Sequence, residues 1–231
     1  MSQIQASMDR LVEVIALLRE HCPWMAALTH ESLVKYLVEE SYELVEAIEG
    51  GQTPEIRAEL GDVLLQVVLH SRLAEEEGRF ALADVAQGIT DKMVRRNPHV
   101  FRPDGSLQNS FPATVEEIEA TWHRVKKGER AGGVVSLFDG LPEALPALAL
   151  AQKSLERAAR AAMPAPAALL APAALLAEAP AGLTGAPQTE AELGDLLLAV
   201  VSSASANGLD AERALRAAVR RFQNAAPPGT A

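Results

Sequence analysis

Cysteine is almost missing from this chain: Cys22 is the single one in 231 residues. That excludes an intrachain disulfide and a zinc site built from several cysteines, and it fits a reducing compartment. Positive charge is also short. Twenty-one Lys and Arg stand against 31 Asp and Glu, a net charge of −10. Binding to a nucleic-acid polymer or an anionic membrane therefore has no electrostatic support, although phosphates can still be held where cations are concentrated. No apolar run approaches the ~18–20 residues that a membrane span needs. The opening MSQIQASMDR lacks the apolar centre of a signal peptide. A soluble, cytoplasmic protein is expected. Alternating strand patterns are lacking too. What remains, 48% hydrophobic and 23% charged residues, reads as globular.

The pattern that is present is helical. Met8, Leu11, Val12, Ile15 and Leu18 form one apolar stripe, and Leu33, Leu37, Leu44, Val45 and Ile48 form another. Gly50-Gly51 ends the second helix. Thr53-Pro54 offers an N-cap and first-turn proline for a third, running to about Glu76. A fourth covers about Leu82 to Arg96 and stops before Pro98, and Thr114 with Glu117 forms a capping box for a fifth. The fold class is all-α, in helical bundles. Residues 1–130 make a first domain, 131–143 a linker and 144–231 a second. Residues 157–187 are rich in Ala, Leu and Pro, and the prolines cut any helix there into short pieces.

AELGDVLLQVV at 58–68 returns as AELGDLLLAVV at 191–201, nine of eleven letters unchanged. The first copy carries a polar stripe, Glu59, Asp62, Gln66 and His70, on a helix otherwise apolar from Val63 to Leu69. Carboxylates on such a helix are costly unless paired or bound to metal. The preceding helix carries EESYE at 39–43, and the short connection between the helices favours antiparallel packing. Alone, EExxE reads as a solvated acidic face. Facing ExxD, however, Glu40, Glu43, Glu59 and Asp62 make an all-oxygen site for a hard cation, Mg²⁺ or Mn²⁺. A di-iron carboxylate bundle needs Glu-x-x-His pairs, and none of the five histidines has a Glu three positions before it.

Cations to meet phosphate oxygens stand at Lys92, Arg95 and Arg96. Trp122 and Lys126 lie four apart on the fifth helix, sharing a face. Singly, these read as a basic helix end and a core tryptophan. With a metal site they make a nucleotide pocket.

These segments resemble the MazG-type nucleoside triphosphate pyrophosphohydrolases. The resemblance rests on LLREHCPW (17–24), THESLVKYLVEESYELVEAI (29–48), AELGDVLLQVVLHSRLAEEEGRF (58–80), KMVRRNPHVF (92–101) and WHRVKKGER (122–130). It implies a helical bundle, a homodimer, and Mg²⁺-dependent cleavage of a nucleoside triphosphate to monophosphate and pyrophosphate. It implies Glu40, Glu43, Glu59 and Asp62 as metal ligands and Glu39 as an accessory carboxylate for the water. Lys92, Arg96, Trp122 and Lys126 match the positions that contact triphosphate and nucleotide, with Arg95 alongside. The chain departs from the family pattern at Met25, usually Asp, and at Leu28, usually Gln. A non-catalytic nucleotide-binding or assembly protein is the alternative function.

The second copy is expected to be degenerate. An acidic stretch equivalent to 39–43 would stand at 172–176, where PAALL is found. Gln66 becomes Ala199 and His70 becomes Ser203. Thr189 precedes Glu192 by three as a capping box, where the first copy has Ile56. A structural role without catalysis follows for the second half.

Overall fold

The computed structural model describes residues 2–111, 114–128, 136–163 and 187–225, except the side chains of residues 123, 126 and 127. Every regular element among them is a helix. The chain divides into two compact units, Met1–Ala131 and Gly132–Ala231.

The first unit begins with α1 (Gln3–His21), the short α2 (Pro23–Ala26), α3 (His30–Gly50) and α4 (Thr53–Glu76). The α3 N-terminus is set by Thr29, whose hydroxyl accepts from the Ser32 amide while the Ser32 hydroxyl accepts from the Thr29 amide. Its end is set by Gly51, at φ 74°, a left-handed conformation that glycine adopts without a Cβ penalty. The turn is tight, so α3 and α4 run back along each other as a hairpin. Gln52, not Thr53, occupies the α4 N-cap, and no side chain caps it. Pro54, which lacks an amide hydrogen, sits in the first turn, where that hydrogen would have no helical partner.

The core of this unit is Ile15 from α1, Met25 and Leu28 from the following segment, Leu33 from α3, and Val68, Leu69 and Leu73 from α4. Met25 and Leu28 stand where the resemblance leads one to expect Asp and Gln. Both are buried, so apolar side chains there add to packing.

The apolar stripes are only partly covered. Leu18, Leu37 and Ile48 remain exposed. On α4, Leu60 is 52% and Val67 39% exposed. The stretch from Val63 to Leu69 reads as a buried helix, and that expectation is corrected at Val67. Periodicity reports which side chains are apolar, not whether a neighbour covers them.

Arg19 fastens α1 to the end of α4. It donates to Glu76 at 2.6 Å and to the backbone carbonyls of Met25 and Leu28. Next come α5 (Leu82–Arg96) and α6 (Val115–Gly128). The Glu117 amide donates to the Thr114 hydroxyl at 3.3 Å, as the capping pattern requires. Between them the Asn97 side chain donates to the Met93 carbonyl, and an isolated bridge joins Phe101 to Leu107.

The second unit contains α7 (Ala147–Arg160), α8 (Glu190–Ala206) and α9 (Ala211–Asn224), each packed against the other two. Its centre holds Ala199, Val201 and Ala211. Most of the Ala/Leu/Pro segment, including 172–176, lies outside the described residues, as do residues 131–135 of the expected linker.

Candidate functional site

The α3–α4 hairpin determines which side chains meet. Counting outward from Gly51, Glu43 and Glu59 stand eight residues to either side, and Glu40 and Asp62 stand eleven. Tight antiparallel packing brings such symmetric positions face to face. One carboxylate oxygen from each of Glu40, Glu43 and Glu59 lies within 4.8 Å of the other two. Glu43 is exposed, while Glu40, Glu59 and Asp62 are half-buried. Asp62 lies outside that closest trio but acts on it electrostatically.

Like charges and burial act together here. The Glu40 carboxyl is raised above its ordinary value by burial first, then by the charges of Asp62, Glu43, Glu39 and Glu59. Glu59 is raised by burial, by Glu43 and Asp62, by a hydrogen bond with Glu43, and by Glu55. Glu59 Oε2 is buried without a hydrogen-bond partner. A cation suits every part of this arrangement. It would neutralise the repulsion, give the orphaned oxygen a partner, and find only hard oxygen donors. The residues present fit a hard divalent ion such as Mg²⁺ or Mn²⁺. Glu39, exposed on α3, is close enough to be felt at Glu40.

Further along the α4 stripe, Gln66 is buried at 4% exposure and its Oε1 has no partner. His70 meets His30, the first residue of α3, with 2.7 Å between their Nδ1 atoms. The ring planes are 13° apart and the centroids 5.0 Å apart. Centroids so much farther apart than the nitrogens place the rings edge to edge, with the hydrogen bond near the ring plane. Arg79 Nη2 lies 2.6 Å from His30 Nε2. His70 had been placed on the polar stripe by spacing, but its partner was missed. The available signal was its near-symmetry with His30 about Gly51.

The expected phosphate-binding cations sit on α5, where Lys92 and Arg96 are half-buried and Arg95 is exposed. Arg96 lies over the Trp122 ring, 5.3 Å from its centroid, joining α5 to α6. The i, i+4 spacing puts Lys126 on the same face of α6 as Trp122. The Lys126 side chain lies outside what is described. The charges that raise Glu40 and Glu59 come from neighbouring carboxylates. The described residues assemble the acidic group on α3 and α4, and the Arg96–Trp122 pair on α5 and α6.

In the second unit, Glu192 and Asp195 are exposed on α8. The Glu192 amide donates to Thr189 at 3.2 Å, and its carboxylate accepts from the Gln188 amide at 2.7 Å. Glu192 is engaged in capping its own helix.

Residues 28–101, which include the hairpin, match the MazG nucleotide pyrophosphohydrolase domain. A 26.1 kDa protein from the blaB 3′ region of Streptomyces cacaoi, described as uncharacterized, is 42% identical over 218 residues, 93% of this chain and 79% of that one. A nucleoside triphosphate pyrophosphohydrolase of Escherichia coli (strain K12) is 37% identical over 226 residues, covering 93% of this chain and 84% of its own. A nucleoside triphosphate pyrophosphohydrolase/pyrophosphatase MazG of Thermotoga maritima is 35% identical over 218 residues, with coverage of 93% and 82%. With likeness at this level along almost its whole length, the chain belongs to the MazG family of nucleotide pyrophosphohydrolases.

Proposed function

We propose that this protein hydrolyses nucleoside triphosphates to the monophosphate and pyrophosphate, and that the chemistry belongs to the first unit. The observation that carries the reading is the trio Glu40, Glu43 and Glu59, with donor oxygens within 4.8 Å and an orphaned Glu59 Oε2. Family membership and the names of the relatives from Escherichia coli and Thermotoga maritima support the substrate class.

Glu40, Glu43, Glu59 and Asp62 would hold the cation, Mg²⁺ or Mn²⁺. When bound, such an ion neutralises phosphate charge and makes water acidic enough to attack near neutral pH. Glu39, next to Glu40, orients the attacking water and accepts its proton. Lys92, Arg95, Arg96 and Lys126 offset charge on the non-bridging oxygens as the α–β phosphoanhydride bond breaks. Trp122 provides an aromatic face for the nucleotide beside Arg96.

The second unit is assigned a structural role. Its counterpart to Glu59 caps a helix, and its counterparts to Gln66 and His70 are Ala199 and Ser203. The proposed functional state is a homodimer. The exposed Val34, Leu37 and Val38 of α3 and Leu60 and Val67 of α4 are an apolar surface that a second copy would cover. Pyrophosphate release from a panel of nucleoside triphosphates with Mg²⁺ or Mn²⁺ tests the activity. A wild-type protein silent on every member of the panel contradicts it.

A further inference from the structure

We infer that His30, His70 and Arg79 are positioning residues that hold α3 and α4 in the register the carboxylate site requires. This rests on the metal-site reading above.

The hydrogen-bond chain assigns the protons. A guanidinium only donates, so His30 Nε2 accepts from Arg79. Neutral His30 then carries its proton on Nδ1 and donates it to His70 Nδ1. His70 keeps its own proton on Nε2. Both rings are neutral, and the link is directional at each step.

The location of this link gives it its importance. Gly51 closes one end of the hairpin, and Glu40, Glu43, Glu59 and Asp62 lie between that turn and the histidine pair. Like charges push the two helices apart there until a cation is present. Apolar contacts resist sliding weakly, because dispersion and burial have no preferred direction. Several apolar side chains along α3, Val34, Leu37 and Val38 among them, are exposed in any case. The histidine link is a directional contact between α3 and α4 beyond the acidic region. His30 is also the first residue of α3, directly after its Thr29 cap, so the link ties the start of that helix to α4. Arg79, just beyond α4, completes it from the other side.

The test is Mn²⁺ affinity of the full chain, measured by calorimetry on wild type, His70→Leu, His70→Asn and Arg79→Leu, with far-UV circular dichroism and thermal midpoints. Asn places an amide oxygen close to where Nδ1 stood, so it can still accept from His30, whereas Leu cannot. His70→Leu and Arg79→Leu, folded at the assay temperature, are expected to bind Mn²⁺ about 10-fold or more weakly, the range seen for partners that orient metal ligands. His70→Asn is expected to recover most of that loss. A purely structural role would lower the thermal midpoint and leave the affinity of the folded protein unchanged. Equal Mn²⁺ affinity in wild type and His70→Leu, or a His70→Asn variant as weak as His70→Leu, overturns this inference alone. Absence of Mn²⁺ binding by the wild type overturns the metal-site reading and this inference with it.

Discussion

Asp62 on α4 raises the pKa of Glu40 on α3 across the seam of the hairpin, as the largest influence after burial itself. A site built this way opposes its own fold until a cation arrives. Folded-state pKa values raised above the ordinary 4.5 give stability that is fully present below pH 4.5 and is lost as pH rises through the folded values. The cation-free protein should therefore lose stability as pH rises from 4.5 toward neutrality. Glu59→Gln removes one of the opposing charges. Its thermal midpoint in EDTA at pH 7 is expected above that of the wild type, with the difference narrowing toward pH 4.5. Mn²⁺ should reverse the order. A cation at 100 times its Kd stabilises a binding protein by about 2.7 kcal/mol, and Glu59→Gln should gain much less. Scanning calorimetry with and without Mn²⁺ at several pH values checks both parts.

Arg19 ties α1 to the end of α4. Its side chain is 10% exposed, against 30% for Glu76. Hydrogen bonds from Arg19 are the first cause of the lowered Glu76 pKa. Replacing it leaves Glu76 less well paired and removes a donor from the Met25 and Leu28 carbonyls. Arg19→Met is expected to cost about 2–4 kcal/mol in denaturant unfolding. The lowered pKa gives stability present above pH 4.5 and lost as pH falls through the folded value. The cost should accordingly shrink in acid.

Arg96 and Trp122 should act as a unit. The ring holds the guanidinium in place, an interaction worth about 0.5–2 kcal/mol. Trp122→Leu is expected to lower kcat/KM about 10-fold. Arg96→Ala should lower it further, because it removes charge as well as order. The double variant should be little worse than Arg96→Ala. Steady-state kinetics on the three variants checks this, and independent, additive losses would show that the contact does not serve the substrate.

Glu192 and Thr189 should matter to stability alone. Thr189→Ala removes an N-cap hydrogen bond at α8 and is expected to cost about 1 kcal/mol in unfolding of the second unit. Turnover should be unchanged, because both residues belong to a helix end and not to the carboxylate group. Thermal unfolding and pyrophosphate release on the same preparation check the two halves of this statement.

How much was legible beforehand depended on the range of the contact. The Gly50-Gly51 stop, the Thr114 cap and the span from Leu82 to Arg96 are local, written in residues within a few positions of one another. The meeting of Glu40 and Glu43 with Glu59 was legible because a short turn leaves two adjoining helices little choice but to pack antiparallel. The partnership of His30 with His70 was harder. Each is an ordinary helical residue, and only the hairpin register, carried twenty residues from the turn, brings them together. Arg96 over Trp122 joins two helices separated by a long loop, and spacing along a single helix carries no sign of such a contact. The exposure of Leu60 and Val67 was invisible for a different reason, since a periodic apolar pattern carries no record of what lies against it.

The central claim is that one copy of the repeated phrase does chemistry and the other packs a helix. Pyrophosphate release by wild type, Asp62→Asn and Asp195→Asn, with Mg²⁺ and saturating nucleoside triphosphate, tests it most directly. Asp62→Asn is expected to be inactive while folded, and Asp195→Asn to match the wild type. An active Asp62→Asn, or an inactive but folded Asp195→Asn, would contradict it.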